Sequence, residues 1–476
     1  MGKDQLNVEE GDCSEPVSPT GQYLNSSVLS LCIIAVLDSE FPLRDLPIFA
    51  LLKDVFLPIN PRFSSLMAND ENGVKHWRKV EVKLEDHVKI PIFPPELSPE
   101  TYDNHLSDYL STIAMEQFPH NRPLWSVHVI KYPTSHAAGN VIFKLHHSLG
   151  DGYSLMSALF SCLQRADNPS VPLTFPSRAS ASNPNLSANS DSIFSTIPKV
   201  FGYAFNTVSD FGWSLLKSSF VEDDKSLIRS GDPGVEFKPV VISTMTFSLD
   251  QIKQIKTKLG VTINDVITGT IFLGTRLYMQ GKVGGSSKLK NEQSTALVLL
   301  NTRAVREYKS VKEMLKQGAE KTWGNQFAFL HVPLPELSSA ESCNPLDFVR
   351  KAHKLIQRKR NSGAVFLTGR FLECLRKYTG PEATAKYIHS TLKNSTMGIT
   401  NMIGPVERVA VANYPIKSIY FMVVGSPQSL VTTMVSYMGK LRVAIGTQKD
   451  HIDPGKLKSY LENAFRMILE ATQDVD

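Results

Sequence analysis

The chain has 476 residues, 42% hydrophobic and 20% charged, enough for two or three domains with sizeable cores and unlike a disordered protein. A net charge of +5 is too small for a nucleic-acid footprint, though compatible with an anionic ligand or membrane surface. The five cysteines are scattered, without Cys-x-x-Cys or a Cys/His cluster, which points to no metal site and no disulfide framework, and fits a reducing, cytosol-facing setting.

Residues 1–15 are polar and acidic and lack the basic and apolar regions of a signal peptide. Ser30–Leu37 predicts a strand and Asp103–Phe118 a helix. Val141, Ile142, Phe143, Lys144 and Leu145 predict a half-buried strand that runs into His146-His147-Ser148-Leu149-Gly150-Asp151-Gly152. Beyond that turn, Leu155, Leu159, Cys162 and Leu163 recur at helical spacing. Residues 166–192 are rich in Ser, Pro and Asn and read as a loop. The apolar stretch 193–220 is interrupted by Pro198, Lys199, Asn206 and Asp210, a poor membrane span. A core helix or cleft flap, an interfacial helix and a true span all stay open for it. A second polar stretch covers 222–236, and a strand follows at Val240–Phe247. Ser248 and Gln251 form a capping box for a helix that stops at Gly260. Thr262 then caps a helix carrying Ile263, Val266, Ile267 and Ile271. Lys351, Lys354, Arg358, Lys359 and Arg360 read as a solvated helix face, with contact to CoA phosphates as the alternative. Gly404-Pro405 marks a turn after a strand, and Gly439-Lys440 a hairpin. No phosphate loop or dinucleotide fingerprint implies ATP or NAD. The expected domains are 1–175 and 239–476, joined by a linker at 176–238 that holds the 193–220 segment.

The chemistry concentrates in HHSLGDG. Strand alternation places Val141, Phe143, Leu145 and His147 on one face, while His146 shares the face of Lys144. An imidazole entering an apolar cleft, with an ordinary pKa of about 6.5, suits proton abstraction from a hydroxyl at neutral pH. A satisfied core histidine, or half of a metal site, is the competing reading of a His-His pair. Asp151 would hold the turn or orient the imidazole, most simply in a scaffold pair with Arg303. Gly152 would let the chain turn and the backbone approach substrate, or merely start the helix.

The HHSLGDG run resembles the HHxxxDG signature of the wax ester synthase/diacylglycerol acyltransferase family, its plant branch above all. Pro123-Leu124-Trp125 matches that family's PLW element and Asn264-Asp265 its ND element. Asn301-Thr302-Arg303, Trp323-Gly324-Asn325-Gln326 and Thr400-Asn401 through Gly404-Pro405 follow in the family's order, and Ser18-Pro19 is similar to its opening segment. The resemblance implies an α/β (α+β) fold of two domains, shared with chloramphenicol acetyltransferase and condensation domains, with the active site between them. It implies an O-acyltransferase that uses long-chain acyl-CoA as co-substrate, with no bound cofactor and no metal. The acceptors would be fatty alcohols, giving wax esters, and diacylglycerol, giving triacylglycerol.

Under that resemblance His147 is the general base, with Asp151 and Gly152 in the turn. Asn264 supports an oxyanion or the helix start. Pro123, Leu124, Trp125, His146 and Asp265 are expected near substrate, the first three as a structural or acceptor-pocket element. The implied partner is a membrane surface, and no nucleic acid. The implied location is the cytosolic face of the endoplasmic reticulum, with the plasma membrane as a second site. Two rivals stand. A catalytically silent lipid-binding homologue is disfavoured by the intact HHSLGDG. A BAHD-like transferase on a soluble plant metabolite would draw on Asp210-Phe211-Gly212-Trp213, which resembles DFGWG. That match lies only 63 residues after His147 and continues with Ser214.

Overall fold

The computed structural model describes residues 15–70, 75–175, 193–281, 292–302, 323–337 and 344–474, with side chains omitted for 193–204. Two large sheets organise them. The centre of the first is Cys32–Ser39 (β1), Trp125–Ile130 (β2) and Gly139–His146 (β3), in the order β2-β3-β1. All eight residues of β1 are buried, because both faces of this sheet are covered. Ile33, Ala35 and Leu37 enter one core, and Ile34 and Val36 another. β3 shows the expected alternation: Val141, Phe143 and Leu145 join the first core and Ile142 the second. The helix Gly152–Ser161 (α1) returns Leu155, Met156 and Leu159 to the first core.

The second sheet has six strands and carries the later half of the chain. Its edge is Thr295–Asn301 (β4) paired antiparallel with Phe327–Pro333 (β5). One face is covered by helices, among them Ile263–Gly281 and Pro345–Arg360. Against the other lie Ile193–Ser219 (α2) and Ala364–Lys393 (α3), the latter kinked at Gly380 where φ is 87°. The N-cap at Ser248, the left-handed stop at Gly260 and the hairpin at Gly439 all occur where expected.

Sheet membership does not follow the chain halves. Tyr414–Val424 leaves the second half and pairs antiparallel with β1, from Ile416 beside Ser39 to Val424 beside Cys32. It supplies Ile419 and Phe421 to one core and Met422 and Val424 to the other. This strand caps what would otherwise be an open, apolar edge of β1.

The described residues of the expected linker, 193–238, pack against the second sheet and its helices. α2 packs along α3, and Asp223 is buried against Lys217, the Thr295 backbone N–H and the Thr396 hydroxyl. Over residues 205–219 α2 is built inside out: its polar residues Asp210, Lys217 and Ser218 are buried, while Phe205 and Val208 are 74% and 68% exposed, as is Phe220 just past its end at 83%. Asp210 turns inward to bind Lys359 and Arg358 at 3.0 Å each, so the basic run of the Pro345–Arg360 helix is not wholly a solvated face. Among the described residues, no helix is long and apolar enough to cross a membrane.

Candidate active site

β3 ends at His146, and the next residue leaves the ladder while its N–H still donates to the Leu31 carbonyl at 2.8 Å. This extension carries His147 past the sheet toward the second domain, where its ring meets Phe327 edge-on at 5.6 Å. His147 is buried, at 4% exposure. Its Nδ1 lies 2.9 Å from Asn325 Oδ1, and the Asn325 amide nitrogen donates to the His147 carbonyl at 3.0 Å. These two contacts fix the tautomer. A backbone carbonyl only accepts, so the amide must point its NH2 there and its oxygen at the ring. Nδ1 therefore carries the hydrogen and donates to Asn325, and Nε2 keeps a free lone pair. Burial pushes the His147 pKa below its ordinary value, while Asp151, Asn325 and its own carbonyl pull it back up. The imidazole is neutral and basic at neutral pH.

Asp151 caps α1 and joins the domains. One oxygen accepts from the Ser154 N–H at 3.0 Å, and the other from the Gln326 N–H at 2.9 Å. Gly324, at φ 114°, turns its carbonyl to accept from the Asp151 N–H and the Ser154 hydroxyl. The Leu149 carbonyl accepts from the Trp323 indole at 3.1 Å and from buried Arg62 at 3.2 Å. The turn of the first domain and the Trp323–Gln326 segment of the second thus form one hydrogen-bonded unit around His147.

Family models for the wax ester synthase/diacylglycerol acyltransferase catalytic domain and for the WS/DGAT C-terminal domain match residues 56–267 and 323–469. Wax ester synthase/diacylglycerol acyltransferase 4 of Arabidopsis thaliana is 30% identical, over 98% of this chain and 92% of its own length. The chain belongs to the wax ester synthase/diacylglycerol acyltransferase family. It is accordingly an acyltransferase. Wax ester synthase/diacylglycerol acyltransferase 11 of the same plant is 27% identical over 99% of this chain and 98% of its own. The solved wax ester synthase/diacylglycerol acyltransferase of Marinobacter aquaeolei VT8 shares the fold at TM-score 0.59 and 15% identity, covering 96% of this chain and 99% of that one. A starter condensation domain of rhizomide synthetase, solved with C8-CoA and Leu-SNAC, follows at TM-score 0.53 and 12% identity, covering 97% and 95%. The two-domain fold of CoA-dependent acyltransferases is therefore the fold of this chain.

Several family blocks fall around His147. Asn301 pairs with Phe327 at the end of β4, and the Thr302 N–H donates to the Gln326 carbonyl at 3.1 Å. Other expected site residues take structural places. His146 is buried with Nδ1 against Ser148 at 2.8 Å and Nε2 against Ser30 at 3.1 Å, and burial pushes its pKa down to about 3. It is a satisfied neutral core histidine, and both its nitrogens are occupied. Trp125 is core as well: its indole donates to the Phe63 carbonyl at 2.7 Å and its ring stacks on His87. Leu124 is buried beside it and its carbonyl accepts from the His146 N–H, so Pro123-Leu124-Trp125 braces the strand end.

Asp265 completes a reciprocal capping box with Thr262, and its carboxylate also accepts from His353 Nδ1 at 2.7 Å. Asn264 sits half-buried at the same helix start, and among the described residues no hydrogen bond takes it to His147 or Asn325. Asp265 is thereby committed to the helix start and to His353. Gly152 has no positive φ, and a Cβ there would meet only Met402 Sδ at 3.7 Å. The glycine that sterics demand is Gly150, where a Cβ would fall 2.9 Å from Ser154 Cβ. Gly152 is a helix-start residue behind the Asp151 cap. Arg303 lies outside the described residues, and the partners of Asp151 given above are backbone N–H groups.

Asn325 is the site residue that sequence reasoning left without a role. Its signal was present, in the Trp323-Gly324-Asn325-Gln326 block, but nothing in that block alone points to a histidine 178 positions away.

Proposed function

We propose that this acyltransferase moves a long acyl chain from CoA to a fatty alcohol, and also to diacylglycerol, with His147 as general base. The observation that carries this reading is the lock on Nδ1 by Asn325, which leaves Nε2 basic in a buried site. Nε2 takes the acceptor's hydroxyl proton as its oxygen attacks the thioester carbonyl. The tetrahedral intermediate collapses with cleavage of the C–S bond. The departing CoA thiolate then recovers the proton from the imidazolium, returning His147 to its starting state. A thioester is already activated and its leaving group is good, so the step as written uses no metal.

Asp151 acts as a positioning residue, holding the Trp323–Gln326 segment against the turn. Against the BAHD-like alternative stands the place of its one motif, only 63 residues after His147 and continuing with Ser214. We place the protein at the cytosolic face of the endoplasmic reticulum because the family resemblance implies that compartment; the exposed Phe205, Val208 and Phe220 support membrane contact alone, of the shallow kind that inserts among headgroups.

Incubation of the purified protein with radiolabelled palmitoyl-CoA and competing hexadecanol, diacylglycerol and a phenolic alcohol, with and without EDTA, tests the reading. Labelled wax ester and triacylglycerol, insensitive to EDTA, are expected. Ester formed on the phenol alone would sink the lipid-acceptor assignment, and loss on chelation the metal-free step.

A further inference from the structure

The Pro345–Arg360 helix carries Arg350, Lys351, Lys354, Arg358, Lys359 and Arg360 against one carboxylate of its own, Asp347. Its apolar side, with Phe348, Val349, Ala352 and Ile356, is buried in the second core. Lys351, Lys354 and Arg358 fall within about 60° of one another around the helix, in one row along its outer side, and all three are exposed. Asp347 holds Arg350 at 3.4 Å, whereas Lys351 and Lys354 form no ion pair among the described residues. Asp210 is shared by Arg358 and Lys359, one carboxylate for two cations, so the row stays positive where it reaches α2.

α2 brings a different surface to that meeting point. Phe205, Val208 and Leu216, with Phe220 just past the end, are exposed at helical spacing. Gly212 falls in the same row, and a Cβ there would meet nothing within 4 Å, so no other described element covers it. Around the helix from Leu216, Trp213 comes about 60° further and Asp210 about 60° beyond that. Trp213 is part-exposed and lines an open hollow of about 370 Å3 together with Arg358. Glu292 and Glu336, further carboxylates of that hollow, act on Arg276. The order across the surface is therefore apolar row, tryptophan, basic row.

Each half narrows the partner. A nucleic acid or an acidic protein would neutralise the cations but leave the phenylalanine row in water. A neutral bilayer would cover the apolar row and leave the lysines without counter-charge. We propose that α2 and the Pro345–Arg360 helix dock together on an anionic membrane. Phe205, Val208, Leu216 and Phe220 enter the headgroup boundary, and Trp213 sits at the interface between apolar and polar layers. Lys351, Lys354 and Arg358 meet the negative headgroups, their long stems lying along the apolar layer. The inference rests on the membrane-contact reading above and adds the lipid class.

The test floats the purified full chain with vesicles of phosphatidylcholine alone, and with vesicles in which about a quarter of the lipid is phosphatidylserine. The parent should prefer the anionic vesicles by at least about 10-fold, the scale of two cations at a charged surface. Salt at about 0.5 M should erase that preference by shortening the screening length. Replacing both lysines by glutamine, Lys351→Gln with Lys354→Gln, should bring the ratio close to parity and leave binding to neutral vesicles as in the parent. Replacing both by arginine should keep the preference. Because the ratio is internal to each variant, partial misfolding does not mimic the effect. Equal binding of the parent to both vesicles, or a preference that survives the glutamine pair, overturns the anionic-lipid assignment and leaves the apolar contact standing. A raised KM for palmitoyl-CoA in detergent, with vesicle binding unmoved, would give the basic row to CoA phosphates and overturn it too. No binding to either vesicle removes the membrane-contact reading as well.

Discussion

His147 and His146 are adjacent in sequence and both buried, yet only one keeps a lone pair free for chemistry. His147→Ala should lower kcat/KM by about 10²- to 10⁴-fold with the fold intact, the usual cost of a general base. His146→Ala should act mainly through stability, since it strips partners from Ser30 and Ser148. Equal losses of rate at unchanged melting temperature would show the wrong histidine was assigned. The pH profile carries a finer prediction. His147 must be neutral to act, and its pKa is lowered mainly by burial, so the acid limb of kcat/KM should lie below about 6.5. Asn325 is one of the influences that raise this pKa. Asn325→Ala should therefore move the limb to lower pH while cutting the rate, and Asn325→Asp should move it to higher pH. A bystander that merely packs against the ring would leave the limb in place.

At the scale of elements, the turn between β3 and α1 depends on a carboxylate with two acceptor oxygens. Asp151→Asn keeps one, so either the Ser154 or the Gln326 N–H loses its partner, at about 1–3 kcal/mol. Melting temperature and rate should fall together; wild-type stability with reduced rate would remove the scaffold role. Strand, turn and helix here were legible because residues near in sequence determine them. Asn325 was not, because its partner arrives through the fold. The helix at Ile263 shows a different limit: a capping signal looks the same whether or not a helix start faces substrate. α2 shows a third, since periodicity gives two faces without saying which one is buried. The structure turns Asp210 and Lys217 inward and leaves Phe205, Val208 and Phe220 outside. Replacing these three by Asp should shift the protein from the membrane pellet to the soluble fraction of cell extracts, with its buried face untouched. A triple variant that pellets like the parent would place the anchor elsewhere.

Across the whole molecule, the two-domain fold was legible only through the family resemblance, and the return of Tyr414–Val424 to β1 was not legible at all. An apolar strand carries no mark of which sheet it will extend, and only the open edge of β1 selects it. The histidines show a property of the assembled fold in the same way. His128 in the first sheet, His146 at its end and His331 in the second are each pushed down to about 3, chiefly by burial. Lowered histidine pKa values fix the sign of a pH effect. Between about 6.5 and 3 the unfolded chain binds protons that the folded chain refuses. Stability from these groups is thus complete above about 6.5 and declines as pH falls, by about 1.4 kcal/mol per unit for each histidine. Unfolding at pH 5.5 should take up about three protons or more, readable by calorimetry in buffers of different ionisation enthalpy. Proton uptake suits a two-domain chain, because it does not assume a single cooperative transition. His128→Gln should remove about one proton from the total. Unfolding at pH 5.5 without proton uptake would mean that these imidazoles are already charged in the folded protein.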